Sequence, residues 1–371
     1  MPRIRKLLAI LFTLLALEFS AQALVINATF DTSVTSAPEA AQIESAINWV
    51  VQTYENQFTN PITVNITVYW GGSADLGQVG LGESYTMYVG SSDFGYPQLT
   101  NALRVARASS YDSNSVASLP LVDPTGSGNS WYVPRSEAKA LNLTSLGVEL
   151  NDSTEDGEVG FGTNGISYTF NPTNRAVSGA FDFIGVAEHE MTEVMGRSTL
   201  GLNQNANYVP YDLFRFTGSG VRSFDYDATN AYFSINDGVT DLKDFNDGGE
   251  NGGDVQDWAG GATADSYDAF TFPGEEGPLS ISDFIAMDIL GYNSRGIRAA
   301  QVTGTPLANG AFQLSFTNLA GTSFSVLSST NLSAPLASWT VLGTAVEYPV
   351  GQYNFIDPNG GAQRFYLIRS P

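Results

Sequence analysis

The sequence predicts a mixed α/β (α+β) domain followed by a C-terminal antiparallel β-sandwich. Three observations predict it. Apolar residues recur at helical spacing from Ile43 to Phe58 and then alternate from Ile62 to Val68. A second helical pattern surrounds His189, the only histidine. Beyond about Ile297 charged residues thin out and short β runs take over, separated by turn residues.

The elements follow in order. Arg3, Arg5 and Lys6 precede the apolar run Leu7 to Leu17, and Ala21-Gln22-Ala23 supplies a small-x-small cleavage signal. Residues 1–23 therefore read as a secretory signal peptide, the run being short for a membrane span. Leu24 to Phe30 is a strand. Ser36 and Glu39 have capping-box spacing, with Pro38 in the first turn of the helix that carries Ile43, Ile47, Val50, Tyr54 and Phe58. Ile62 to Val68 is a strand with one buried face.

Tyr96 to Arg107 and Ser136 to Leu141 are short helices, and the Ser/Gly/Asn stretch Ser109 to Ser130 between them is loop-rich. Val159 to Phe161 and Ile166 to Phe170 are strands. Ser178-Gly179 opens a helix running to about Met195. A Gly/Asn/Asp-rich stretch follows, with short aromatic strands such as Tyr232 to Ile235. Ile281 to Leu290 is the last helix of the first domain, 24–293, ended by Gly291. In the second domain, 297–371, the β runs are Phe312 to Phe316, Ser323 to Leu327, Trp339 to Leu342, Tyr353 to Ile356 and Arg364 to Ile368.

Composition excludes several functions. Lys and Arg number 16 against 38 Asp and Glu, a formal charge of −22. Such a field repels phosphate backbones, so nucleic acid is not an expected partner. There is no cysteine, so any metal is held by nitrogen and oxygen. With the leader removed no membrane span is expected, and the chain reads as secreted, extracellular or periplasmic.

The chemistry concentrates in Phe181 to Arg197, FDFIGVAEHEMTEVMGR. On a helix His189 and Glu193 stack on one face, with Glu190 beside them. Phe183, Ala187, Met191 and Val194 form a core face, and Glu188 and Thr192 are expected to face water. An imidazole and a carboxylate at i and i+4 reach one divalent cation. A neighbouring glutamate can take a proton from a metal-activated water without ligating.

His189, Glu190, Glu193 and Gly196 resemble the zincin metallopeptidase motif H-E-x-x-H, with Glu193 in place of the second histidine. Gly196 falls where metzincins have the glycine that turns the chain back to the metal, and Thr199, a poor ligand, falls on their third histidine. HEMTEVMGR, then YVPYDLFRF (Tyr208 to Phe216) and IAMDILGY (Ile285 to Tyr292), more closely resemble a group of secreted bacterial proteins classed as metalloproteases. The tail, SSTNLSAPLASWTVLGT and QRFYLIRSP, is similar to C-terminal β domains of secreted verrucomicrobial proteins.

The resemblance implies a zinc-dependent endopeptidase acting on a protein or peptide substrate. Glu190 would be the general base, and His189, Glu193 and Asp212 the metal ligands. Tyr208 or Tyr211 would hydrogen-bond the oxyanion of a tetrahedral intermediate. The competing reading of Asp212 is a turn or capping aspartate, with Tyr208, Tyr211 and Asp225 as the next candidates. Met287 reads as a core residue. The tail would serve attachment or sorting at the cell surface.

A second acidic stretch contains Asp241, Asp244, Asp247, Glu250, Asp254 and Asp257 among glycines and asparagines. Such loops suit calcium, but the spacing matches no EF-hand, which favours a solvated loop. The alternative function is a non-catalytic exported binding or matrix protein on a zincin scaffold. A serine esterase is disfavoured, because no G-x-S-x-G turn is present.

Overall fold

The structure is a computed structural model. It describes residues 24–90, 94–126, 129–247, 251–261, 263–295, 302–307, 310–318, 323–332, 334, 338–348, 352–360 and 364–369. The expected leader, Glu250 and the junction near Ile297 lie outside the described residues. Among those described the architecture is mixed α+β, with seven α-helices and several antiparallel sheets.

The central sheet is built from β1 (Val25–Phe30), β2 (Thr63–Trp70), β3 (Gly82–Thr86) and β4 (Gly157–Phe161), in the order β1-β2-β4-β3. β1, β2 and β4 are parallel, while β3 runs antiparallel to β4 and forms an edge. The β1–β2 crossover carries α1 (Ala40–Gln57), whose buried stripe includes Ile43, Ile47, Val50 and Tyr54. α2 (Phe183–Val194) packs against β3 and β4. α1 meets α2 as well, and the Tyr54 hydroxyl donates to the Glu188 carbonyl at 3.1 Å. α3 (Ile281–Ile289) closes the same core, which ends at Tyr292.

Four local expectations are corrected, each by a competing hydrogen bond or strand. Ser36 and Glu39 do not form a capping box. Asp31 instead caps a short helix, Thr32–Thr35, and α1 begins afterwards at Ala40. The expected loop-rich stretch 109–130 contains a helix, Ser110–Ala117, because Ser109 and Asp112 cap reciprocally. The expected strand Ile166 to Phe170 shrinks to Tyr168–Thr169, which pairs with Phe181–Asp182. That pairing holds the chain extended, so α2 starts at Phe183 rather than near Gly179.

The tail forms two antiparallel groups of strands. One joins Thr303–Pro306, Phe312–Thr317, Gln352–Asp357 and Val346–Glu347. The other joins Ser325–Ser329, Thr340–Thr344 and Phe365–Arg369. Leu314, Phe316 and Tyr353 of the first and Val326 of the second share one small apolar core with Phe324 and Ala345. Among the described residues no helix is long and apolar enough to cross a membrane.

Candidate metal centre

α2 presents His189 and Glu193 one turn apart, as their spacing requires. The ring Nδ1 lies 2.9 Å from the Ser266 carbonyl oxygen. A carbonyl only accepts, so Nδ1 carries a proton and Nε2 is left to face the interior. Nε2 lies 3.6 Å from Glu193 Oε1 and 3.3 Å from Asp257 Oδ1. One ligand atom from each of His189, Glu193 and Asp257 lies within 4.8 Å of the others, a group able to hold a metal ion. A nitrogen and two carboxylates can hold a divalent ion, and without cysteine no sulfur competes.

Asp257 comes from the stretch expected to be a solvated acidic loop, and that expectation fails here. Asp257 is buried because Trp258, next to it, is wholly buried and donates its indole N–H to Asp283 Oδ1 at 2.7 Å. The backbone of Asp257 is held as well, its carbonyl accepting from Asn246 N at 2.8 Å. Asp241, Asp244 and Asp254 remain exposed. The only local signal for Asp257 was the aromatic residue that follows it.

Glu193 is tied down from three sides. Ser84 of β3 donates to Oε2 at 2.7 Å, Gln256 donates to Oε1 at 3.0 Å, and Arg197 Nη2 lies 3.5 Å from Oε1. Burial opposes its charge, but the His189 hydrogen bond and Arg197 outweigh it and hold the carboxyl down at about 2. Burial also opposes protonation of His189, yet Asp257 beside it pushes the ring well above its usual value. Burial and the Glu193 charge push Glu190 well above the carboxylate range. Glu190 lines the cleft beside His189, and its carboxylate accepts no hydrogen bond among the described residues.

Arg197 was not anticipated. Gly196 ends α2 with φ of 129°, and the Arg197 N–H bonds back to the Thr192 carbonyl at 3.0 Å. The turn delivers the Arg197 side chain beneath the helix instead of a third ligand from position 199. Its Nη1 reaches Asp257 Oδ1 at 2.5 Å, Nη2 reaches the His189 carbonyl at 3.1 Å, and the guanidinium lies over Tyr267. A β-carbon at Gly196 would lie 3.1 Å from Glu137 Oε2, so a larger residue crowds this turn.

Asp212 is corrected as a ligand. It caps the 3₁₀ turn Pro210–Phe214, accepting from Val209 N at 2.9 Å, and borders a separate small cavity with Thr199 and Arg215. Tyr208 and Tyr211 do not line the cleft beside His189 either. Tyr208 packs against Trp131 and Phe224, and Tyr211 against Phe233 and Phe245. Asp225 accepts from Asn203 at an exposed site. The expected water-facing side of α2 is also buried. Glu188 pairs with Arg175 at 3.2 Å, and Thr192 bonds back to the Glu188 carbonyl at 3.0 Å. Met287 is a core residue, as its position on α3 implied.

The cleft has a volume of about 310 Å³ and runs between edge strand β3 and the segments 252–257 and 265–271. Comparison of the chain with family models, curated proteins and solved structures gave no match.

Proposed function

We propose that the protein is a secreted zinc-dependent metallopeptidase of zincin type, with the tail as a β-sandwich that serves attachment or sorting. One observation carries this reading. The proton on His189 Nδ1 is committed to Ser266, so Nε2 faces Glu193 and Asp257 in the wall of a cleft that also contains Glu190, which has no partner among the described residues. When bound, zinc would polarise a peptide carbonyl and acidify a water. His189, Glu193 and Asp257 would hold it, and Glu190 would accept the proton of the attacking water and pass it to the leaving amine.

Charge balance supports the assignment of Glu190. Arg197 and a divalent ion together match Glu193, Asp257 and an ionised Glu190. Without the ion, burial and the Glu193 charge favour the protonated form of Glu190. β3 is paired on one side only, among the described residues, and lines the cleft with Gly82 and Glu83, next to Leu81 just before the strand. An extended peptide laid along that edge would pass Glu190.

A second reading, a non-catalytic exported binding protein on the same scaffold, is favoured by Arg197. Its guanidinium occupies Asp257 Oδ1, so the site already contains an internal cation. The deciding experiment measures zinc content and casein or mixed-peptide cleavage on the chain from Leu24. One zinc per chain with cleavage is the expected result. One zinc without cleavage favours the scaffold, and no zinc overturns both metal readings.

A further inference from the structure

The cleft has an acidic wall that hydrolysis alone leaves unused. Asp268 lines it and is 8 % exposed. Its Oδ2 accepts from Asp265 N at 2.9 Å, but Oδ1 has no partner among the described residues. Ser266 lines the same cleft at 5 % exposure, and its Oγ is also unpartnered. Its carbonyl is the acceptor for His189 Nδ1, so this wall adjoins the metal group directly. A buried acceptor without a donor is costly, and buried polar atoms are nearly always satisfied by something.

Apart from Glu190, the remaining acids of the cleft sort into two sets. Asp182, Asp257 and Asp265 are neutralised by Arg175, Arg197 and Lys243. Glu83 and Asp254 form no ion pair among the described residues and stand exposed at the rim. Phe270 borders the cleft at 45 % exposure and offers an apolar surface to an aliphatic stem. A β-carbon at Gly253 would lie 2.8 Å from the Phe270 ring, so the loop bearing Asp254 lies close against that surface.

We propose that this wall is a subsite for a basic side chain, lysine or arginine, of a peptide substrate. Asp268 and Ser266 receive the charged head, Phe270 carries the stem, and Glu83 and Asp254 draw the cation in. Calcium fits less well, because it takes six to eight oxygen ligands and the buried wall offers one free carboxylate oxygen and one hydroxyl. The inference rests on the peptidase reading only in naming a peptide as the bearer of the charge.

The test is fluorescence anisotropy with the full chain and two labelled hexapeptides that differ only in a central arginine or citrulline. It is run with chelator, and again with zinc, in low salt. A charge-assisted hydrogen bond to a buried group predicts about tenfold or more tighter binding of the arginine peptide. Asp268→Asn keeps the acceptor for Asp265 N and should cut that preference below about threefold. Glu83→Gln with Asp254→Asn, at exposed positions, should weaken arginine binding and its salt dependence while leaving the fold intact. Equal binding of the two peptides by the wild-type chain overturns the subsite. So does a preference that survives in both variants, or one abolished by calcium in the wild-type chain. A chain that prefers arginine but holds no zinc and cleaves nothing keeps the subsite and loses the peptidase. A chain that cleaves without preference for basic residues does the reverse.

Discussion

Arg197 Nη1 lies 2.5 Å from Asp257 Oδ1, with Arg197 wholly buried. The same oxygen is 3.3 Å from His189 Nε2, so Asp257 joins the end of α2 to the imidazole. Asp257→Asn should therefore lower zinc affinity by more than about 10²-fold, beyond the tenfold to hundredfold typical of residues that only orient ligands. Asp212→Asn should leave zinc stoichiometry unchanged, since Asp212 serves a backbone cap. Competition with a zinc-sensitive dye checks both. Equal loss in the two variants would return Asp212 to the ligand set.

Glu190 lines the cleft and belongs to no ion pair among the described residues. Glu190→Gln keeps its shape but cannot take a proton. It should retain zinc and lose about 10²- to 10⁴-fold in hydrolysis. His189→Ala should lose both, because no other histidine exists. Retained activity in Glu190→Gln would assign the base elsewhere.

Gly82 is constrained by Glu190. A β-carbon there would lie 2.3 Å from Glu190 Oε1 and 2.7 Å from Val186 Cγ1. Gly82→Ala should displace the Glu190 carboxylate, lower hydrolysis at least about tenfold, and cost about 1–3 kcal/mol by overpacking. Zinc binding should persist. Urea unfolding and steady-state cleavage separate the two effects.

Asp112 and Asp288 form a buried acid pair. Burial is the main cause that raises Asp112 to about 6 and Asp288 to about 7, and Asp112 adds to the rise of Asp288. Raised folded values favour the protonated form. The stability they contribute is complete below the unfolded value of about 4 and is lost as pH rises through 6 to 7. Asp288→Asn keeps an acceptor for Ser109 and removes the charge. Its urea midpoint should fall less between pH 5 and pH 8 than that of the parent chain. Identical slopes would show that the pair does not titrate in this window.

Among the described residues, the core containing α1, α2 and α3 includes no buried residue after Tyr292, and the buried tail core starts at Leu314. A chain ending at Ser294 should therefore unfold cooperatively and retain zinc. Calorimetry and zinc content check this. Aggregation would make the tail part of the first core, a role anticipated by Ile281, which packs against both.

Much of the frame was legible in the sequence because local patterns specify local structure. Alternation set β2, helical spacing set α1 and α3, and the i, i+4 rule placed His189 and Glu193 together. The tail runs fell close to the strands found. What the sequence alone could not decide is which distant chain segment completes the site. Asp257 and Ser266 lie 68 and 77 residues beyond His189 in the chain, and their approach depends on Trp258 anchoring one loop and on the bond from His189 anchoring the other. Burial of Glu188 and Thr192 likewise follows from Arg175 and Tyr54, which reach α2 from outside its own pattern. Spacing along a chain fixes neighbours on one helix. Desolvation, ion pairing and the third ligand are properties of the space between elements, and only tertiary packing sets them.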